Sequence, residues 1–131
     1  MKAPVFIKKA MVLRIHEHQL EQYGGSAGIR DLGALEAALA MPESGFGDDY
    51  LHKDIFEMAG AYLFHFAKNH PLVDGNKRVA AACAEYFLDL NGYVLPVGNQ
   101  AFYELTMDIA GSKRSKQDAA RFFKKYAKKK R

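Results

Sequence analysis

Cysteine is nearly absent. Cys83 is the only one among 131 residues, which excludes an intrachain disulfide and points to a reducing, cytoplasmic home. Long apolar runs are missing as well. None approaches the roughly 18 residues that a membrane-crossing helix needs, and lysines interrupt the N-terminal MKAPVFIKKAM too early for a secretory signal. There are no internal repeats, low-complexity tracts or linker-like stretches, so a single domain over 1–131 is expected, with length for one core and not two. No G-x-x-x-x-G-K-[ST] string occurs, which excludes an ordinary P-loop nucleotide fold. The string H-E-x-x-H is absent too, so a metal hydrolase built on His65, His70 and Asp74 has ligand spacing against it, and His16-Glu17-His18 falls on a separate helix.

Charge is unevenly spread. The formal net charge is +4, yet residues 121–131 (RFFKKYAKKKR) hold 7 of the 19 basic residues and none of the 15 acids, so the remainder carries 12 basic against 15 acidic. A basic tail on a mildly acidic body is one footprint of nucleic-acid contact. No basic stripe continues into the domain, so the tail reads as a solvated helix end whose lysines complement the macrodipole, and nucleic acid is not expected as a partner.

What is present is mostly helical spacing. Val12, Ile15, His16, Gln19, Leu20 and Tyr23 recur at intervals of three and four and stop at Gly24-Gly25. IRDLGALEAALAM follows a Gly/Ser-rich turn, with Asp31 as N-cap and Pro42 as stop. ESGFGDDYL, residues 43–51, reads as a loop or small flap. DIFEMAGAYLFHFAKNH is apolar almost all round, as a central buried helix is, and Pro71 ends it near Asn69. RVAAACAEYFLDLNGY restarts the period and stops at Asn91-Gly92. A helix near 100–110 and a last one capped by Ser115 complete the chain. The expected fold class is all-α, with about six helices and at most a small two-stranded ribbon pairing residues 5–7 with 93–95.

The chemistry concentrates in HPLVDGNKR, residues 70–78, between two buried helices. A helix N-terminus presents unpaired N–H groups and a partial positive charge, which together attract anions. Gly75 permits a sharp turn, Asn76 brings an amide, and Lys77 and Arg78 add two full charges suited to phosphate. Asp74 is placed to hold Mg²⁺, which takes one or two carboxylates plus substrate phosphates. His70, with an ordinary pKa near 6.5, is able to accept a hydroxyl proton at neutral pH. Read singly, each residue also has a structural use: Asp74 or Asn76 as a cap, Gly75 as a turn, Lys77 and Arg78 as solvated charges, His70 as a core histidine.

HPLVDGNKR resembles the signature of the Fic/Doc family, H-P-F-x-D/E-G-N-x-R at a helix–loop–helix junction. YGGSAGIRDLGALEAAL, FEMAGAYLFHFAKNH and FLDLNGY resemble the death-on-curing (Doc) branch, so the likeness covers most of the chain. It implies His70 as general base, Asp74 as metal carboxylate, and Gly75, Asn76, Lys77 and Arg78 as holders of nucleotide phosphates. It also implies a target-docking flap at Asp48, Asp49, Tyr50 and Leu51.

Four motif positions bear on the reaction type. Leu72 replaces the usual phenylalanine. Lys77 stands where the adenylyl-transferring branch has glycine, Ala81 stands where that branch has a second arginine, and Gly75 is itself typical of that branch. The motif leans to the Doc branch, implying transfer of the γ-phosphate of ATP, with Mg²⁺, to a serine or threonine of a host protein. The implied target is elongation factor Tu, and the implied consequence is arrest of translation. Protein adenylylation is the alternative, and a non-enzymatic nucleic-acid-binding or scaffold module is a second. Thr106-Met-Asp-Ile-Ala110-Gly111 matches a family self-inhibitory string except for alanine at the glutamate position. Restraint is therefore expected from a separate antitoxin that folds on binding.

Overall fold

Six α-helices carry the chain in the computed structural model, which describes residues 3–131. They are α1 (Lys9–Tyr23), α2 (Leu32–Ala40), α3 (Ile55–Asn69), α4 (Asn76–Leu90), α5 (Asn99–Ala110) and α6 (Lys116–Tyr126). Three starts follow directly from capping chemistry. The Asp31 carboxylate accepts from Ala34 N at 3.0 Å, and that of Asp54 accepts from Glu57 N at 2.8 Å. Ser115 and Asp118 exchange side chain-to-backbone bonds at 3.1 and 2.8 Å, a capping box that satisfies two otherwise orphaned N–H groups.

Helix α3 is the axis of the fold and packs most extensively on α4 and α6. Its Met58, Tyr62, Leu63 and Phe66 are fully buried against Val79, Cys83 and Phe87 of α4 and Phe123 of α6. Each such side chain contributes about 1.5–3 kcal/mol through burial. The Tyr62 hydroxyl is not stranded in this core, because it accepts a hydrogen bond from Ile7 N at 2.9 Å. The two faces of α3 thus fix α4, whose first turn belongs to the motif. No helix among the described residues is long and apolar enough to cross a membrane.

The small sheets differ from expectation. Residues 5–7 form no strand. The Asn91 side chain takes both backbone groups of Val5, accepting from its N at 2.8 Å and donating to its O at 2.9 Å, so no ladder is left to pair. Instead β3 (Tyr93–Val94) pairs antiparallel with β4 (Lys128–Lys129). The basic tail is a solvated helix end only in part: Lys124 and Lys125 stand exposed in the last turn of α6, but the helix stops at Tyr126 and the chain then folds back. Lys130 secures it with a 2.5 Å ion pair to Asp89. A second hairpin, β1 (Gly45–Phe46) with β2 (Asp49–Tyr50), occupies the segment read as a flap.

Candidate active site

The loop 70–75 leaves α3 at Asn69 and enters α4 at Asn76. Pro71 disfavours right-handed helical geometry for His70, and His70 adopts a left-handed conformation at φ 47°, ψ 55°, with its side chain exposed. Leu72 is completely buried and anchors the loop in the core. Gly75 turns the chain into α4 at φ 80°, a region glycine enters without steric cost.

Asn76 also has a job inside the loop. Its Oδ1 accepts from Leu72 N at 2.9 Å and its Nδ2 donates to Leu72 O at 3.0 Å, so the amide clasps the loop from within. No side chain caps α4, whose first backbone bond runs from Val79 N to Gly75 O at 2.9 Å. The first-turn N–H groups and the positive end of the helix therefore face the cleft uncapped.

A cleft of about 770 Å³ opens over this turn, a size that suits a nucleotide-sized ligand. It brings together His70, Asp74, Gly75, Asn76, Lys77 and Arg78. The flap residues Asp48, Asp49, Tyr50 and Leu51 do not line it. Tyr50 turns inward, with its ring 5.6 Å from that of Phe6, and Phe46 stands 92% exposed on the hairpin. The opposite wall is α5, through Phe102, Tyr103, Thr106 and Met107. Thr106 is buried and its hydroxyl donates to Phe102 O at 2.9 Å, while Ala110 closes the helix away from the cleft lining.

Asp74 is held by the chain's other Gly-rich stretch. Its Oδ2 accepts from Ser26 N at 3.2 Å and its Oδ1 from Gly75 N at 2.8 Å. A carboxylate oxygen has two lone pairs, so both keep one for a cation. Among the described residues no three His, Cys, Asp or Glu side chains converge on one point. A lone carboxylate suits Mg²⁺ completed by phosphate oxygens and water, and excludes an all-protein metal cage.

Several supports had no signal in local pattern. His16, on the helix expected to be unrelated, is only 5% exposed and bonds through Nε2 to Asp74 O at 2.9 Å. Tyr23 lies under Arg78, whose Cζ is 4.4 Å from the ring centroid. Segment 28–31 is zipped to the loop, with Val73 N donating to Gly28 O at 3.1 Å and Ile29 bridging Leu72. Arg30 binds the carbonyls of Asn69 and His70. The Gly-rich turn was visible in the sequence, but its contact with a loop more than 40 residues away was not.

The metal-hydrolase grouping does not assemble. His65 lies beside Lys116, whose Nζ is 3.4 Å from its Nε2 and 3.1 Å from His52 Nε2. Burial, and then the Lys116 charge, push the His65 pKa down to about 4 and that of His52 in the same direction. Within the cleft, Glu85 is raised, first by burial and then by Asp89.

A model of the Fic/DOC family matches residues 6–88, well over half of the chain and the whole of this loop and its supports. The chain belongs to the Fic/DOC family. It is 42% identical over 73 residues to the toxin Doc of Mycolicibacterium smegmatis, a match covering 56% of each chain. It is 32% identical over 81 residues to the protein kinase doc of Escherichia phage P1, covering 62% of this chain and 64% of that one. The matched part thus spans between about half and two thirds of those relatives.

Proposed function

We propose that this protein transfers the γ-phosphate of ATP to a serine or threonine hydroxyl of another protein, acting as a Doc-type toxin. One observation carries the reading: exposed His70 and the uncapped N-terminus of α4, with Lys77 and Arg78, open into one cleft. The names toxin Doc and protein kinase doc, borne by relatives, support it.

Phosphates of ATP are bound by the first-turn N–H groups of α4 and by the charges of Lys77 and Arg78. Asp74 would hold Mg²⁺, which neutralises charge on the phosphates as they react. His70 takes the proton of the target hydroxyl while the hydroxyl oxygen attacks the γ-phosphorus. A new O–P bond forms, the bond to the β-phosphate oxygen breaks, and ADP leaves with that electron pair. In-line transfer requires the reacting atoms about 3–3.5 Å apart, so the grip on the triphosphate decides which phosphorus reacts. Ala81 lines the cleft where a second arginine would otherwise sit, leaving Lys77 and Arg78 as the side-chain cations at the turn.

The proposed target is a host protein, with elongation factor Tu as first candidate and loss of translation as the result. The proposed restraint is a separate antitoxin that folds on binding, because Ala110 supplies no carboxylate to pair with Arg78. Parallel labelling of a bacterial lysate with γ-labelled and α-labelled ATP tests the reaction. Label from the γ position alone is expected. Label from the α position alone replaces phosphorylation by adenylylation, and label from neither removes the enzymatic reading.

A further inference from the structure

We infer that Arg30 is a positioning residue for the transfer, holding the His70 backbone in its left-handed conformation and so fixing where the imidazole stands. The inference rests on His70 as the base. Arg30 grips three consecutive carbonyls at the end of α3. Its Nη2 donates to Asn69 O at 2.9 Å, its Nε to His70 O at 2.5 Å, and its backbone N to Pro71 O at 2.8 Å.

This grip reaches a turn that the local chain holds poorly by itself. The last carbonyls of a helix have no partner within it, and a left-handed residue normally lets following N–H groups fold back onto them. The residue after His70 is Pro71, which has no N–H. His70 also occupies a conformation, φ 47°, that is uncommon for any residue but glycine. The strained turn is held from outside the helix, by a planar fork whose two donors match the two adjacent carbonyls of Asn69 and His70. Lysine has no such fork, so it is not an equivalent replacement.

Arg30 touches the backbone of the base rather than the reacting atoms, and it does not line the cleft. Its loss is therefore expected to act on the chemical step and not on ATP binding. In Arg30→Ala we expect kcat to fall about 10–100-fold, the scale on which small misplacements act, with KM for ATP unchanged. Methylguanidinium at a non-denaturing concentration is expected to restore part of kcat. Arg30→Lys is expected to remain impaired, and it carries the same readouts if the alanine variant does not fold.

A second measurement is independent of activity. The ¹³Cα and ¹³Cβ shifts of His70 report its backbone conformation, and they are expected to leave the left-handed range in the variant. If those shifts stay as in the parent protein, or if kcat is unchanged, the inference is overturned. A loss of kcat with a parallel rise in KM and no recovery with methylguanidinium also overturns it, by making Arg30 a general structural residue. Absence of transfer in the parent protein removes the kinase reading alone, because the shifts still decide what Arg30 does.

Discussion

The guanidinium of Arg78 lies 4.4 Å from the ring centroid of Tyr23, so the last residue of the motif rests on the last residue of α1. Stacking of this kind contributes about 0.5–1 kcal/mol at an exposed site. Replacing Tyr23 by Leu is expected to raise KM for ATP about 2–5-fold, the equivalent of that energy. Tyr23→Phe keeps a ring face and should leave KM unchanged. An equal rise in both variants would assign the effect to the tyrosine hydroxyl instead.

Removing the His70 imidazole tests the base directly. The side chain is exposed and the loop is held by Leu72, Asn76 and Arg30, so His70→Ala should change stability by no more than about 0.5 kcal/mol. Transfer should fall by about 10²–10⁴-fold, the usual contribution of a positioned general base. Toxicity on expression should disappear with it. A folded variant that still arrests growth would exclude His70 as the base.

Gly25 tests the placement of Asp74. A Cβ added there would stand 2.7 Å from Asp74 Oδ2, at a backbone φ of 114°. Gly25→Ala is expected to cost about 1–3 kcal/mol in a denaturant titration and to move the Mg²⁺ dependence of transfer to higher concentration. Gly24→Ala separates the two effects, because φ is 77° but nothing lies within 4 Å of the new carbon. It should lose stability with the Mg²⁺ dependence intact. A shift of similar size in both would detach Asp74 from the metal.

Stability should fall on mild acidification, through histidines remote from the cleft. Burial lowers the folded-state pKa of His65 from 6.5 to about 4, and that of His52 moves the same way. Above 6.5 both states are neutral and the fold loses nothing. As pH drops from 6.5 towards 4, the unfolded chain takes up protons that the folded chain refuses, so unfolding is favoured. Full conversion sets a ceiling of about 3 kcal/mol for His65, and its partial exposure reduces this to about 1–2 kcal/mol. Denaturant midpoints measured across that interval should slope downward, and His65→Leu should flatten the slope. A pH-independent midpoint would show that burial and the Lys116 charge do not hold the ring neutral.

Much of the local architecture could be read from residue type and spacing alone. Asp31, Asp54 and Ser115 cap helices because a short side-chain oxygen reaches its own chain three residues on. Pro71 ends α3 at Asn69 for equally local steric reasons. The composition of the nine residues from His70 to Arg78 marks an anion site as an expectation, and the fold places their charged members in one cleft.

The remote contacts were beyond such reading. Strand β3 pairs with Lys128–Lys129 and not with residues 5–7, because Asn91 occupies the Val5 backbone and Lys130 ties the tail to Asp89. That the Asn76 amide closes on Leu72 from within the loop shows only once the chain is folded. Arg30 reaches the end of α3 across 39 and 40 positions of chain, and His16 reaches Asp74 across 58. Periodicity and capping act within a turn or two and leave a signature in neighbouring residues. A bond between a side chain and a distant carbonyl leaves none, since every residue carries the same carbonyl and only packing brings the two together.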